Sequence, residues 1–336
     1  MKKVLVSGYI GFNNFGDEAI FYALSTHLKN LGYDVSALCA NQEQVSKTYD
    51  VKTYHFKKPF EILKAILNCD VLISGGGSLL QNKTSNFSLL YYLFIILLAK
   101  ICAKKVIIFA QGIEPIIGKN YEFITKSILK LVDFITVRDE KSKKLLASWN
   151  INSTLISDPA YSLVQDIEIK EKEGLIVQLR SFRGMDKELL ANLARSIFKN
   201  YQGKVKVFSF QDEIDEKICL DFIGELKKNN LETEFISNKP IKETIEIINK
   251  AKYVISTRLH GLIIANALKS KTFAINYDEK IKTLVNELNI GSIDILNYTA
   301  SELDNKLDEF FNHCLNEVHQ YRKFEWDLID NELNKN

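Results

Sequence analysis

The chain has 336 residues, enough for two domains of ordinary size. Hydrophobic residues make up 46% and charged residues 26%, the balance of a soluble globular protein with substantial cores. Formal net charge is only +2, which argues against a nucleic-acid partner and leaves room for a local basic pocket. The five cysteines are odd in number and scattered, with no C-x-x-C pair, so neither a disulfide framework nor a metal site is expected. Cys39, Cys69 and Cys102 sit in apolar patterns and read as buried thiols, which fits a cytoplasmic protein.

The basic start Met1-Lys2-Lys3 is followed by an apolar run that stops at Ser7-Gly8, too short for a signal peptide, so residues 3–6 read as a first strand. The loop Gly8-Tyr9-Ile10-Gly11-Phe12-Asn13-Asn14-Phe15-Gly16-Asp17-Glu18 leads to a helix over 19–31 and a strand over 35–38. This Gly-rich loop is neither G-x-G-x-x-G nor a P-loop. Its glycines allow close approach of a ligand, and the helix start suits a phosphate. Alternatively, Asp17 and Glu18 complement the helix dipole. A second strand ends in Ser74-Gly75-Gly76-Gly77-Ser78, where close approach of a ligand or another domain would explain three consecutive glycines. Residues 81–86 follow as pocket wall or surface loop. Residues 89–99 are the most apolar stretch, too short for a bilayer span of about 20 residues. They read as a helix buried on several sides, the alternative being a membrane-facing surface.

Strands over 105–110 and 133–137 exit at Gln111-Gly112-Ile113-Glu114-Pro115 and at Arg138-Asp139. Arg138 thus stands at a strand exit and a helix start, either facing a ligand or paired with Asp139 or Glu140. A domain boundary is expected just beyond Ser157-Asp158-Pro159-Ala160, with a first domain over 1–165 and a charged linker at Lys170-Glu171-Lys172-Glu173. The second half, 174–300, repeats the alternation: strands over 175–179, 205–210, 234–235, 253–255 and 271–276, with helices between. Alternating strands and helices imply doubly wound parallel sheets with helices on both faces, and two such α/β domains facing each other across a cleft. Residues 301–336 read as an amphipathic helical tail packing on the core, with Leu303, Leu307 and Phe311 on one face. His27, His55, His313 and His319 carry no supporting motif.

The stretch Ser256-Thr257-Arg258-Leu259-His260-Gly261 concentrates chemistry. It joins a buried strand to a helix, placing Arg258 and His260 at a strand's carboxyl end, where open α/β sheets bind ligands. Arg supplies a planar fork for carboxylate or phosphate, the helix start suits an anion, and His can deliver a proton near neutral pH. The bland alternative is that Arg258 pairs with an acid and His260 packs.

The order of these segments resembles the polysaccharide pyruvyl transferases. The resemblance is carried by Gly8 to Ile20, Gly75-Gly76-Gly77-Ser78-Leu79-Leu80-Gln81 with Thr84-Ser85, Gln111-Gly112-Ile113, Val137-Arg138-Asp139, Ser157-Asp158-Pro159-Ala160, Arg258-Leu259-His260-Gly261 and Tyr277-Asp278-Glu279-Lys280. It implies a GT-B-like pair of domains and transfer of pyruvate from phosphoenolpyruvate onto a sugar as a ketal. It further implies a lipid-diphosphate-linked saccharide acceptor at the inner membrane face, bound by the N-terminal half. Asn13-Asn14-Phe15 departs from the smaller residues expected there, which bears on acceptor identity.

The residues themselves agree with such a donor, which carries a phosphate and a carboxylate on three carbons. Arg138, Arg180, Arg258 and Lys280 are expected at strand exits, with His260 and Gly261 completing the donor site. His260 is the candidate proton donor, with Arg258 and Lys280 steadying the departing phosphate. Gly11, Asn13, Asn14, Gly16, Asp17, Glu18, Gly76, Gly77 and Gln81 are the expected acceptor contacts. The base for the sugar hydroxyl is open among Asp17, Glu18 and Glu114. No metal or cofactor is expected beyond phosphoenolpyruvate as co-substrate. Two rivals share the scaffold: a GT-B glycosyltransferase using a nucleotide-sugar, and a non-catalytic anion or saccharide sensor.

Overall fold

Short strands that are apolar at every position need cover on both faces, which parallel sheets receive from crossover helices. The computed structural model describes residues 1–83, 85–182, 185–312 and 323–335. The readings that touch Thr84, His313 and His319 lie outside them. The chain divides into two units, Met1–Leu163 with Lys323–Asn336, and Val164–Arg322.

The first unit runs β1 (Lys3–Ser7), α1 (Phe15–Asn30), β2 (Asp34–Cys39), α2 (Gln42–Tyr49), β3 (Lys52–His55), α3 (Pro59–Asn68), β4 (Val71–Ser74), α4 (Asn86–Ile101), β5 (Lys105–Gln111), α5 (Lys119–Leu129), β6 (Phe134–Val137), α6 (Glu140–Ser148) and β7 (Thr154–Leu155). All strands pair in parallel in the order β3-β2-β1-β4-β5-β6-β7. The helices α3, α4, α5 and α6 share one face, packing Ile62, Leu93, Ile128 and Leu146 against Leu5, Leu72, Val106 and Ile135. In the middle of α4, Leu89, Tyr92, Leu93, Ile96 and Ala99 are core, while Phe87, Leu90, Phe94 and Ile101 are exposed. The most apolar stretch therefore has one buried face and one outward face.

The second unit runs β8 (Glu173–Gln178), α7 (Lys187–Asn200), β9 (Val205–Phe208), α8 (Asp212–Lys228), β10 (Thr233–Ile236), α9 (Ile241–Asn249), β11 (Ala251–Ser256), α10 (Leu259–Ala267), β12 (Lys271–Asn276), α11 (Glu279–Leu288), β13 (Gly291–Asp294) and α12 (Ala300–Asn312). Its order is β10-β9-β8-β11-β12-β13, again parallel. In both sheets the order reverses beside the unit's first strand, between β1 and β4 and between β8 and β11. This is the switch point at which doubly wound sheets bind ligands.

The expected single tail is divided. Leu303, Leu307, Phe310 and Phe311 of α12 join the core of the second unit. The last segment, with α13 (Asp327–Asn334), belongs to the first unit. There Phe324 and Trp326 pack on Phe109, and Trp326 stacks on His27 at 3.9 Å. His27, which no motif singled out, also holds Asp330 at 2.8 Å. Aromatic anchors thus decide that the last segment joins the core of the first unit.

Candidate functional site

In the second unit, the exits of β8 and β11 lie in register, Gln178 opposite Ser256. Gln178 is buried and ties the two exits together. Its side-chain oxygen accepts from the Ser256 hydroxyl at 2.8 Å, and its carbonyl accepts from Thr257 N at 3.0 Å. The Arg258 amide in turn donates to Ser256 Oγ at 2.9 Å. A Cβ on Gly261 would lie 2.6 Å from that same hydroxyl oxygen and 3.2 Å from the Phe210 ring, so only glycine lets α10 start this close to the strand.

Arg258 is the N-cap residue of α10, and its side chain is buried. It pairs with Asp215, in the first turn of α8 and 0% exposed: Nε donates to Oδ2 at 3.0 Å, and Nη2 lies 2.8 Å from both carboxylate oxygens. Gln211 Oε1 accepts from Nη2 at 3.4 Å. Burial pushes the Asp215 carboxyl above the usual range, against the opposing pull of Arg258 and, more weakly, Arg180. Arg180, just beyond β8, lies near enough to Tyr277, at the exit of β12, and to Asp215 for its charge to act on both. Burial raises the Tyr277 hydroxyl, while the two arginines hold it down. The Tyr277 ring stacks on Phe182 at 4.2 Å. One switch point thus gathers Arg180, Arg258, Asp215 and Tyr277. His260 lies half-buried in the first turn of α10, and Lys280 in the first turn of α11, whose cap Asp278 accepts from Lys280 N at 3.1 Å and Ile281 N at 3.0 Å.

Arg138 belongs to the first unit, at the exit of β6. Its partner is neither neighbouring acid: Nη1 donates to Asp158 at 2.7 Å and Nη2 to Ser78 at 3.2 Å. It therefore braces the loops after β4 and β7.

The first Gly loop is organised from within. Asn14 caps α1, which begins at Phe15, earlier than its apolar pattern suggests, so Gly16, Asp17 and Glu18 form its first turn. Asn14 Oδ1 accepts from Gly16 N at 3.3 Å, and Asn14 Nδ2 donates to Asp17 at 2.7 Å. Gly11, at φ +78°, donates its amide to Glu18 at 2.7 Å, and Tyr49 donates to the other Glu18 oxygen at 2.5 Å. Burial drives the Glu18 carboxyl upward, only partly offset by these bonds. Asn13, also at positive φ, accepts from Gln44 at 2.7 Å. The amides of Gly11 and Gly16 are thus engaged by side-chain oxygens of the same loop and helix.

The triple glycine also has reasons inside the unit. A Cβ on Gly76 would meet Ile20 of α1 at 2.8 Å, and one on Gly77, at φ +90°, would meet Asp17 Oδ1 at 2.6 Å. Gln81 is half-buried in the loop that follows. Its neighbour Asn82 ties this loop to the one after β5 through two 2.8 Å bonds with the Ile117 main chain. Glu114 pairs with Lys83. Ser7 Oγ and Gln111 Oε1, at the exits of β1 and β5, are buried without a hydrogen-bond partner among the described residues.

Asp215 and Gln178 escape pattern reading, and Tyr277 stands in a family motif without a role assigned to it. Asp215 lies in Asp212-Glu213-Ile214-Asp215-Glu216, where acids in a first helical turn look like dipole complement. The one available signal is its spacing from Ile218, Cys219 and Phe222, which places it on the buried side of α8. Among the described residues no cluster of His, Cys, Asp and Glu has metal-binding geometry, and no helix is long and apolar enough to cross a membrane.

Comparison with solved structures returns two-unit enzymes over nearly the full length. The S. aureus MnaA–UDP co-structure has a TM-score of 0.69 at 9% identity, covering 99% of this chain and 95% of that one. UDP-GlcNAc 2-epimerase from Neisseria meningitidis bound to UDP-GlcNAc has a TM-score of 0.62 at 15% identity, with 100% of both chains covered. A glycosyltransferase from Rickettsia africae has a TM-score of 0.60 at 16% identity, covering 96% and 91%. At such identities the likeness carries the fold, GT-B in type with two parallel-sheet α/β units. A search of curated proteins found no match. The family model described as polysaccharide pyruvyl transferase matches residues 14–279, from the cap of α1 to the start of α11. With the switch point of the second sheet and the Arg258–His260 turn inside that span, the chain belongs to the polysaccharide pyruvyl transferase family.

Proposed function

We propose that the chain transfers pyruvate from phosphoenolpyruvate to two hydroxyls of a saccharide, forming a cyclic ketal and releasing phosphate. The observation that carries this reading is the pairing of Arg180 and Arg258 at the switch point of the second sheet, beside the start of α10. Arg180 and Arg258 bring two guanidinium groups to this sheet edge, one of them fixed by the Asp215 carboxylate, for a small, highly anionic donor. Asp215 holds Arg258 in one posture, so its dipole is set before the donor arrives.

His260 delivers a proton to the terminal methylene, which becomes the methyl group, and positive character develops at the central carbon. One sugar hydroxyl adds there and gives up its proton. The second hydroxyl then bonds to the same carbon as the C–O bond to phosphate breaks, its proton passing to the departing phosphate, whose remaining charge the cations take. The acceptor is a polysaccharide precursor carried on a lipid diphosphate, met by the first unit's loops around Gly11–Glu18 and Gly76–Gln81 at the cytoplasmic face of the membrane. Each of the three candidate bases is engaged within the first unit, Asp17 by Asn14, Glu18 by Tyr49 and Gly11, and Glu114 by Lys83.

A nucleotide-sugar glycosyltransferase is the competing reading, favoured by the UDP and UDP-GlcNAc held by two of the structural neighbours. Calorimetry with phosphoenolpyruvate and with UDP-sugars separates the two. Saturable binding of phosphoenolpyruvate alone is expected, and binding of a UDP-sugar alone would replace this proposal with its rival. In His260→Asn, phosphoenolpyruvate binding is expected to persist while phosphate release falls about 10²–10⁴-fold. Full turnover in that variant would remove His260 as the proton donor.

A further inference from the structure

The outer faces of α3, α4 and α5 carry large apolar side chains that nothing in the unit covers. On α3 these are Phe60, 89% exposed, with Leu63 and Leu67, at i, i+3 and i+7 along one helical face. On α4 they are Phe87, 85% exposed, with Leu90, Phe94 and Ile101, again one face. On α5 they are Phe123, 70% exposed, and Ile124. The three helices lie on the same side of the sheet, and the entry to α3 touches α4 through the Phe56 and Tyr91 rings, 6.0 Å apart. Scattered exposed apolar residues are ordinary, whereas an apolar stripe repeated on three neighbouring helices marks an interaction surface.

The charge around it selects the partner. Residues 57–68, 86–101 and 119–130 contain seven lysines and two acids. Both acids, Glu61 and Glu122, are paired with lysines and held below the usual carboxylate range by the hydrogen bonds they accept. Lys57, Lys58, Lys64, Lys119 and Lys130 are exposed. A second copy of this chain docked face to face would set these lysines against their own counterparts, because a two-fold interface is self-complementary. Outward apolar side chains on helices that also carry exposed lysines match an anionic phospholipid surface, where rings and aliphatic chains enter the acyl boundary and lysines meet headgroup phosphates.

We propose that this face of the first unit docks peripherally on anionic membrane. Each of the three helices starts after a strand exit, so their N-terminal ends, with Phe60 and Phe87 in first turns and Phe123 in the second turn of its helix, stand at the same carboxyl edge of the sheet as the loops after β1 and β4. Docking there brings those loops to the bilayer surface, a consequence that matters for catalysis only if the acceptor is lipid-linked as proposed above.

The test is co-sedimentation of the full chain with vesicles of phosphatidylcholine containing about one third phosphatidylglycerol, against pure phosphatidylcholine vesicles. The triple variant Phe87→Ser, Phe94→Ser, Phe123→Ser, checked for folding by circular dichroism, serves as control. Binding to anionic vesicles is expected, weakened in 0.5 M salt, a concentration of about threefold physiological ionic strength, and reduced about tenfold or more in the triple variant. No sedimentation with anionic vesicles, or sedimentation unchanged by the triple substitution, would overturn the proposal. So would a wild-type dimer in light scattering that the triple variant converts to monomer, since a second copy would then cover the face. Vesicle binding is read without substrate, so its failure is distinct from failure of phosphoenolpyruvate binding.

Discussion

Asp215→Asn tests whether the buried pair positions the donor cluster. Asp215 is 0% exposed and Arg258 6%, and the fork makes three contacts of 2.8–3.0 Å to the carboxylate. The amide keeps the shape but loses the charge, and its NH2 group faces guanidinium donors. Removing one partner of a buried pair costs about 3–5 kcal/mol. Because burial already works against the Asp215 carboxylate, the lower end, about 3 kcal/mol, is expected here. At an m-value of about 2 kcal/mol/M, that lowers the urea midpoint by about 1.5 M. Far-UV circular dichroism is the suitable probe, because both tryptophans, Trp149 and Trp326, belong to the first unit. Phosphoenolpyruvate affinity should fall about tenfold, the effect of about 1.4 kcal/mol, as Arg258 loses its fixed posture. Asp215→Leu with Arg258→Met should restore most of the stability, since an apolar pair has no charge to desolvate, while leaving donor binding absent. A loss below about 1 kcal/mol in Asp215→Asn, with unchanged donor affinity, would show that the pair does not position Arg258.

Glu18→Gln probes the loop of the first unit. The folded carboxyl sits above its ordinary value of 4.5, so between 4.5 and the raised folded value the unfolded chain has released a proton that the folded chain keeps. Stability should therefore fall as pH rises through that window, and the variant should lack that slope in thermal melts taken across it; parallel slopes would contradict the burial argument. Gly77→Ala forces a left-handed conformation on a residue with Cβ, costing about 1–2 kcal/mol, and also drives Cβ into Asp17. A melting temperature lowered by several degrees is expected, and an unchanged one would mean that the loop relaxes freely.

Much of this protein is legible in the chain because its strands are short, apolar and fully buried, and each is followed by a helical pattern. That local signal places β1, β4, β5, β8 and β11 and the Arg258–His260 turn, and it implies parallel sheets of α/β type. It fails where an element buries little: α2 offers only Val45 and Tyr49 to the core, and the edge strand β3 only Tyr54. Order along the chain also identifies family motifs without saying what their residues touch. Only the tertiary structure shows that Arg258 meets Asp215 across 43 positions and that Arg138 meets Asp158 rather than its neighbouring acids. It alone shows that Gly76 and Gly77 make room for α1, that α4 buries one face and exposes the other, and that the tail divides between units. Hydrophobic periodicity is a property of neighbours in sequence, whereas charge pairing, close packing and the partner of an outward face are set by residues brought together only when the sheets form.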